Sequence, residues 1–140
     1  MTTPLSTSLE PAPTVLREGD PRLRVHCAPV ESAGATLDRD IADVARSLAD
    51  VRQRYGFGRA LAAPQIGIAR RLVVVDLGAG PFALVNPEIT WRSEGTFEVW
   101  DDCFSVPDRL VRVRRHTSVS LSFRDARFRP RTWERLPEDL

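Results

Sequence analysis

A chain of 140 residues is one domain at most, and its 42% hydrophobic and 28% charged residues exclude the disordered classes. A formal net charge of +1 gives no electrostatic ground for nucleic-acid or membrane binding. All 20 basic residues are arginine, interspersed with acids in the manner of a solvated, ion-paired surface. Two cysteines, Cys27 and Cys103, are too few for a disulfide framework. The N-terminus lacks the basic start and apolar run of a secretory signal, and no apolar stretch approaches the ~18 residues that span a bilayer. These readings predict a soluble, cytoplasmic protein with reduced thiols.

In chain order, residues 1–14 are rich in Pro, Ser and Thr and read as a mobile tail ahead of a domain over residues 15–140. Residues 15–24 form an extended lead-in with a Gly-Asp-Pro turn. Leu37, Ile41, Val44, Ala45, Leu48 and Val51 then recur at helical spacing, with Asp38, Arg39, Asp43, Arg46 and Asp50 on the other faces. That pattern predicts an amphipathic helix over residues 36–55, with Gly56 and Gly58 placed for a left-handed cap. Short strands follow at residues 72–76, 82–85, 88–91 and 96–100, separated by Gly, Pro and Asn-Pro signals. Further strands are expected at 110–114, 119–123 and 132–136. Pro137 with Glu138 and Asp139 reads as the first turn of another helix.

Two stretches carry chemistry. Gly58-Arg-Ala-Leu-Ala-Ala-Pro-Gln65 packs small residues so that backbone can approach a ligand, and its glutamine amide can donate to a substrate oxygen. The same residues also suit a tight helix-to-strand connection with a surface glutamine. Trp100-Asp-Asp-Cys103-Phe-Ser-Val-Pro107 frames a cysteine with polar residues and a turn, fit for a metal ligand, a nucleophile or a small buried side chain. Cys27 has no motif around it. His26 and His116 each read as surface residues, His116 in a basic turn between two strands.

Together these stretches resemble the peptide deformylase family, whose motifs are Gly-x-Gly-x-Ala-Ala-x-Gln and Glu-Gly-Cys-x-Ser. Asp20-Pro-Arg-Leu23 with Pro29-Val30, and Leu84-Val-Asn-Pro87, agree with the same family, so the resemblance runs from about Val15 onward. It implies an α+β fold of one long helix on short, mainly antiparallel strands. It also implies removal of the formyl group from the N-terminal formyl-methionine of nascent polypeptides. Cys103 would be a ligand to Fe2+ or Zn2+. Gln65 and the backbone N–H of Phe104 would stabilise the oxyanion, and Gly58, Ala60 and Leu61 would hold the substrate. The implied partners are N-formyl-methionyl peptides, with ribosome association left open.

Three departures qualify this. Ala60 replaces the second glycine of the first motif, Asp101-Asp102 stands for Glu-Gly, and the family's His-Glu-x-x-His helix has no counterpart in the 140 residues. The expectation is therefore a deformylase-like domain truncated before its metal-binding helix and inactive alone. Other readings are a noncatalytic module for peptides or a partner, and a thiol enzyme using Cys103 with His116 as base.

Overall fold

The structure, a computed structural model, describes residues 11–137. The expected helix is α1, Ala35–Tyr55. Leu37, Val44, Leu48 and Val51 form its buried stripe, as the 3.6-residue period demands. Gly56 closes it in the left-handed region, donating its N–H to the Arg52 carbonyl at 2.8 Å. Of the expected tail, Pro13 is tied down: its carbonyl accepts the hydroxyl of Ser47, a wholly buried residue of α1, at 2.7 Å. The expected helical turn after Pro137 lies outside the described residues.

Seven strands follow: β1 Ala60–Ala62, β2 Leu72–Asp76, β3 Pro81–Arg92, β4 Thr96–Asp101, β5 Val111–His116, β6 Val119–Arg124 and β7 Pro130–Leu136. Five make one sheet in the order β1-β2-β3-β6-β7, every neighbouring pair antiparallel, and β4 and β5 make a separate hairpin sheet. The fold class is α+β. Strand alternation gives the large sheet two apolar faces. Leu72, Val74, Ala83 and Val85 share the core under α1, while Val75, Leu84 and Phe123 pack with Leu121 and Trp133 in a second cluster. Trp133 meets Phe82 and Phe123 edge-on, with ring centroids 5.6 and 5.1 Å away.

Two expectations are corrected. The strands expected at 82–85 and 88–91 are the single strand β3, because Asn86 is a bulge and not a turn. It takes φ +50° while its N–H still reaches the Arg71 carbonyl at 2.8 Å, so the chain bends without leaving the sheet. His116 is the last residue of β5 and not part of the turn, and its Nδ1 lies 2.7 Å from the Ser93 carbonyl.

The β6–β7 turn is organised by Asp125. Its carboxylate accepts the N–H groups of Arg127 and Arg129 at 3.0 Å and the guanidinium groups of Arg129 and Arg131 at 3.0 and 3.2 Å. These donors, the Arg129 N–H foremost, lower the Asp125 pKa to about 2. A folded-state value below the unfolded one means that the contribution is complete above the unfolded pKa of about 4. It is lost as pH falls through 2. Asp125→Ala is thus expected to lower the urea midpoint at pH 6, and the gap to wild type should narrow by pH 2. A gap independent of pH would show that the charge of Asp125 does not support the turn.

Candidate active site

The first motif runs from the cap of α1 into β1 and then into a 3-10 turn, Ala63–Ile66. Pro64 sits at the start of that turn, where its fixed φ is already suitable. Gln65 reaches back, its Oε1 accepting the Ala62 N–H at 3.0 Å. The other end of the amide is thereby pointed across the site.

The second motif follows β4. Asp101 Oδ1 accepts the Asp102 N–H at 2.9 Å, and the Val106 N–H closes onto the Cys103 carbonyl at 3.0 Å. This turn presents Cys103 beside Gln65, 3.8 Å from Sγ to Nε2, although 38 positions separate them. Gln65 Nε2 also donates to the Ser105 hydroxyl at 3.2 Å. Phe104 turns inward, stacks on Phe57 at 5.2 Å and lies against Gly58.

The lead-in segment joins the two motifs. The Leu16 N–H donates to the Gln65 carbonyl at 2.7 Å and the Glu18 N–H to the Ser105 carbonyl at 2.9 Å. Residues two apart on an extended chain offer their N–H groups in the same direction, so one short strap binds both turns. An ion pair between Glu18 and Arg109 adds a contact beyond the cysteine turn.

Gln65, Cys103 and Phe104 border a cavity of about 1120 Å³. Its floor is the face of the large sheet that carries Val75, Leu84 and Trp133, and its far wall is the β4–β5 hairpin. On that wall Asp101 and Arg115 form an ion pair, and Asp102 lies exposed next to the cysteine. The volume is slightly larger than the range of about 300–1,000 Å³ usual for small-molecule sites.

The other anticipated site residues divide. Gly58 and Ala60 border the cavity, whereas Leu61 does not. Alternation along β1 sends the Leu61 side chain into the core under α1, with 1% exposure. Neither histidine borders the cavity. His26 lies 3.3 Å from the Arg71 guanidinium, and His116 is held by Ser93, so the pairing of Cys103 with a His116 base is not formed. Ser105, Asp101 and Arg115 were not assigned to the site; Ser105 and Asp101 had a signal, as members of the cysteine motif, and Arg115 had none.

A catalytic divalent-metal site takes about three protein ligands. Among the described residues no group of three His, Cys, Asp or Glu converges. Cys103 is one thiol donor, so these residues do not by themselves fit a bound metal.

The sequence model of the polypeptide deformylase family matches residues 13–135, and the chain belongs to that family. A peptide deformylase of Heliobacterium modesticaldum is 40% identical over 111 residues, which cover 79% of this chain and 70% of that protein. One of Thermotoga neapolitana is 36% identical over 109 residues, covering 78% of this chain and 63% of the relative. The crystal structure of the Thermotoga maritima peptide deformylase superposes with a TM-score of 0.80 at 29% identity, covering 90% of this chain and 82% of that one. The chain thus spans between about three-fifths and four-fifths of these three proteins. Among the described residues no helix is long and apolar enough to cross a membrane.

Proposed function

We propose that this chain forms the substrate-binding part of a peptide deformylase-type site, which takes the formylated N-terminus of a nascent polypeptide. The juxtaposition of Gln65 and Cys103 at one end of the cavity carries this reading. The peptide runs past Gly58 and along β1 past Ala60, whose small side chain leaves the backbone accessible. The formyl oxygen lies between the Gln65 amide and the backbone N–H of Phe104, two donors aimed where negative charge develops as the carbonyl becomes tetrahedral. Cys103 is the one thiol that the described residues would offer to the iron or zinc implied by the family resemblance. The 140 residues contain no His-Glu-x-x-His sequence. As a separate polypeptide they therefore bind formylated peptide without hydrolysing it.

The expected result is tighter binding of formyl-methionyl peptide than of the same peptide without the formyl group. Gln65→Ala should remove most of that preference, a loss of about tenfold for one hydrogen bond to a polar acceptor. Isothermal titration of both peptides against both proteins measures it; equal affinity for the two peptides in wild type defeats the reading. Formate release by the 140-residue polypeptide is expected to match a Cys103→Ala control. Release that Cys103→Ala abolishes would reveal ligands beyond those described.

The shortfall of ligands also favours a second reading, a noncatalytic peptide-binding module. Addition of a helical peptide bearing His-Glu-x-x-His, together with zinc, separates the two. Formate release that depends on Cys103 supports the deformylase reading, and binding without release supports the module.

A further inference from the structure

Ser105 has a hydroxyl at the site to which no role has been given. The residue is 8% exposed, and its carbonyl is fixed by the Glu18 N–H at 2.9 Å. Its Oγ accepts a hydrogen bond from Gln65 Nε2 at 3.2 Å. At the other end of the same amide, Oε1 accepts the Ala62 N–H at 3.0 Å.

A glutamine held only through Oε1 can still rotate about that bond and sweep its nitrogen through an arc. A second bond at Nε2 fixes the amide plane. Nε2 carries two hydrogens, and Ser105 takes one. The other is donated to Cys103 Sγ at 3.8 Å, on the cavity side, a weak bond that a carbonyl oxygen bound there would replace. A carboxamide in this position is most useful if its donor is already aimed, because ordering a glutamine on binding costs rotamer freedom.

We propose that Ser105 is a positioning residue: its hydroxyl holds one Gln65 amide hydrogen so that the second points at the place of the substrate's carbonyl oxygen. The proposal rests on the reading of Gln65 as the donor to that oxygen, and its test separates the two. Ser105 itself touches no substrate. The lead-in segment takes part through Glu18, which fixes the backbone from which the hydroxyl is presented.

The chain's composition makes the test direct. Two glutamines and one asparagine give three side-chain amide groups in all, Gln53, Gln65 and Asn86. Gln53 is exposed on α1, a marker for a free amide. Asn86 is clamped on both sides by the Val30 backbone at 2.8 Å, a marker for a fixed one and for the integrity of the fold. In 15N-labelled wild-type protein the Gln65 amide is expected to show the restricted motion of Asn86, by heteronuclear relaxation. In Ser105→Ala it should move toward the behaviour of Gln53 while Asn86 stays as it was, and Ser105→Thr should restore it. If Ser105→Ala does not fold, Ser105→Cys keeps the shape and substitutes a weak acceptor, with the same change expected to a smaller degree.

A formyl-methionyl peptide should shift the Gln65 amide protons in wild type and bind about tenfold more weakly to Ser105→Ala. A Gln65 amide as rigid in Ser105→Ala or Ser105→Cys as in wild type overturns the proposal. Loosening of Gln65 and Asn86 together also overturns it, since the role of Ser105 would then be general stability. Loosening of Gln65 alone, with no response to the formyl group in wild type, supports the positioning role and rejects the deformylase-type reading.

Discussion

Gly58→Ala is expected to destabilise the protein by about 2–4 kcal/mol, from two separable causes. Gly58 has φ +98°, where a side chain is strained, and an added Cβ would lie 2.0 Å from the tip of the Phe104 ring. That ring cannot yield freely, because Phe104 is 5% exposed and stacked on Phe57. Gly56→Ala is the natural control. Its φ of +76° carries a comparable strain, but no atom lies within 4 Å of the new methyl group, so a cost of only about 1 kcal/mol is expected. Urea unfolding of both variants measures the difference, and equal costs would show that the contact with Phe104 is unimportant. Phe104→Leu, which shortens the ring's reach, should recover part of the Gly58→Ala loss when the two are combined.

Asn86→Ala is the second large effect, at about 2–4 kcal/mol. Asn86 does three things at once. It accepts the Val30 N–H, donates to the Val30 carbonyl, each at 2.8 Å, and occupies φ +50° within the β3 bulge. Alanine leaves both Val30 groups unpaired in a partly buried place and tolerates the backbone conformation less well. Asn86→Asp tests the account further: it keeps the acceptor and the turn preference but loses the donor, setting a carboxylate against the Val30 carbonyl. It should therefore be at least as damaging as alanine near neutral pH. If aspartate is tolerated like asparagine, the donor half of the clamp contributes nothing.

Asn86 also shows why part of this fold was hard to read in the sequence. An Asn-Pro pair between two apolar runs has the chemistry of a turn, and the local signal is correct: the residue does take a left-handed conformation. Pairing with β2 and β6 on either side, which is not local information, turns it into a bulge inside one long strand. The helix α1 was legible because its buried stripe repeats over five turns and both its period and its glycine cap lie within one short window. Gln65 and Cys103 were legible through their motifs. The side-chain direction of Leu61 was not legible from its place inside a motif; the two-residue alternation of β1 decides that it is core. Asp101 lies opposite Val111 in the β4–β5 hairpin, so its ion pair with Arg115 runs diagonally to a residue four positions along the partner strand, and no spacing rule within either strand announces it.

The strap at residues 16–18 has a kinetic consequence. Its two hydrogen bonds join the beginning of the chain to turns around residues 65 and 105, which makes them among the most sequence-distant contacts at the site. Closing such long loops costs entropy that α1 and the β2–β3 hairpin need not meet, so the strap is expected to dock late in folding and to open early. The amide protons of Leu16 and Glu18 would then exchange with solvent through a small local opening, well before those of β2 and β3. Each such opening removes one backbone restraint from each of the turns that hold Gln65 and Cys103 while the sheet beneath them stays intact. Loosening of the assembled site is thus expected to begin at three residues ahead of α1, not in its core.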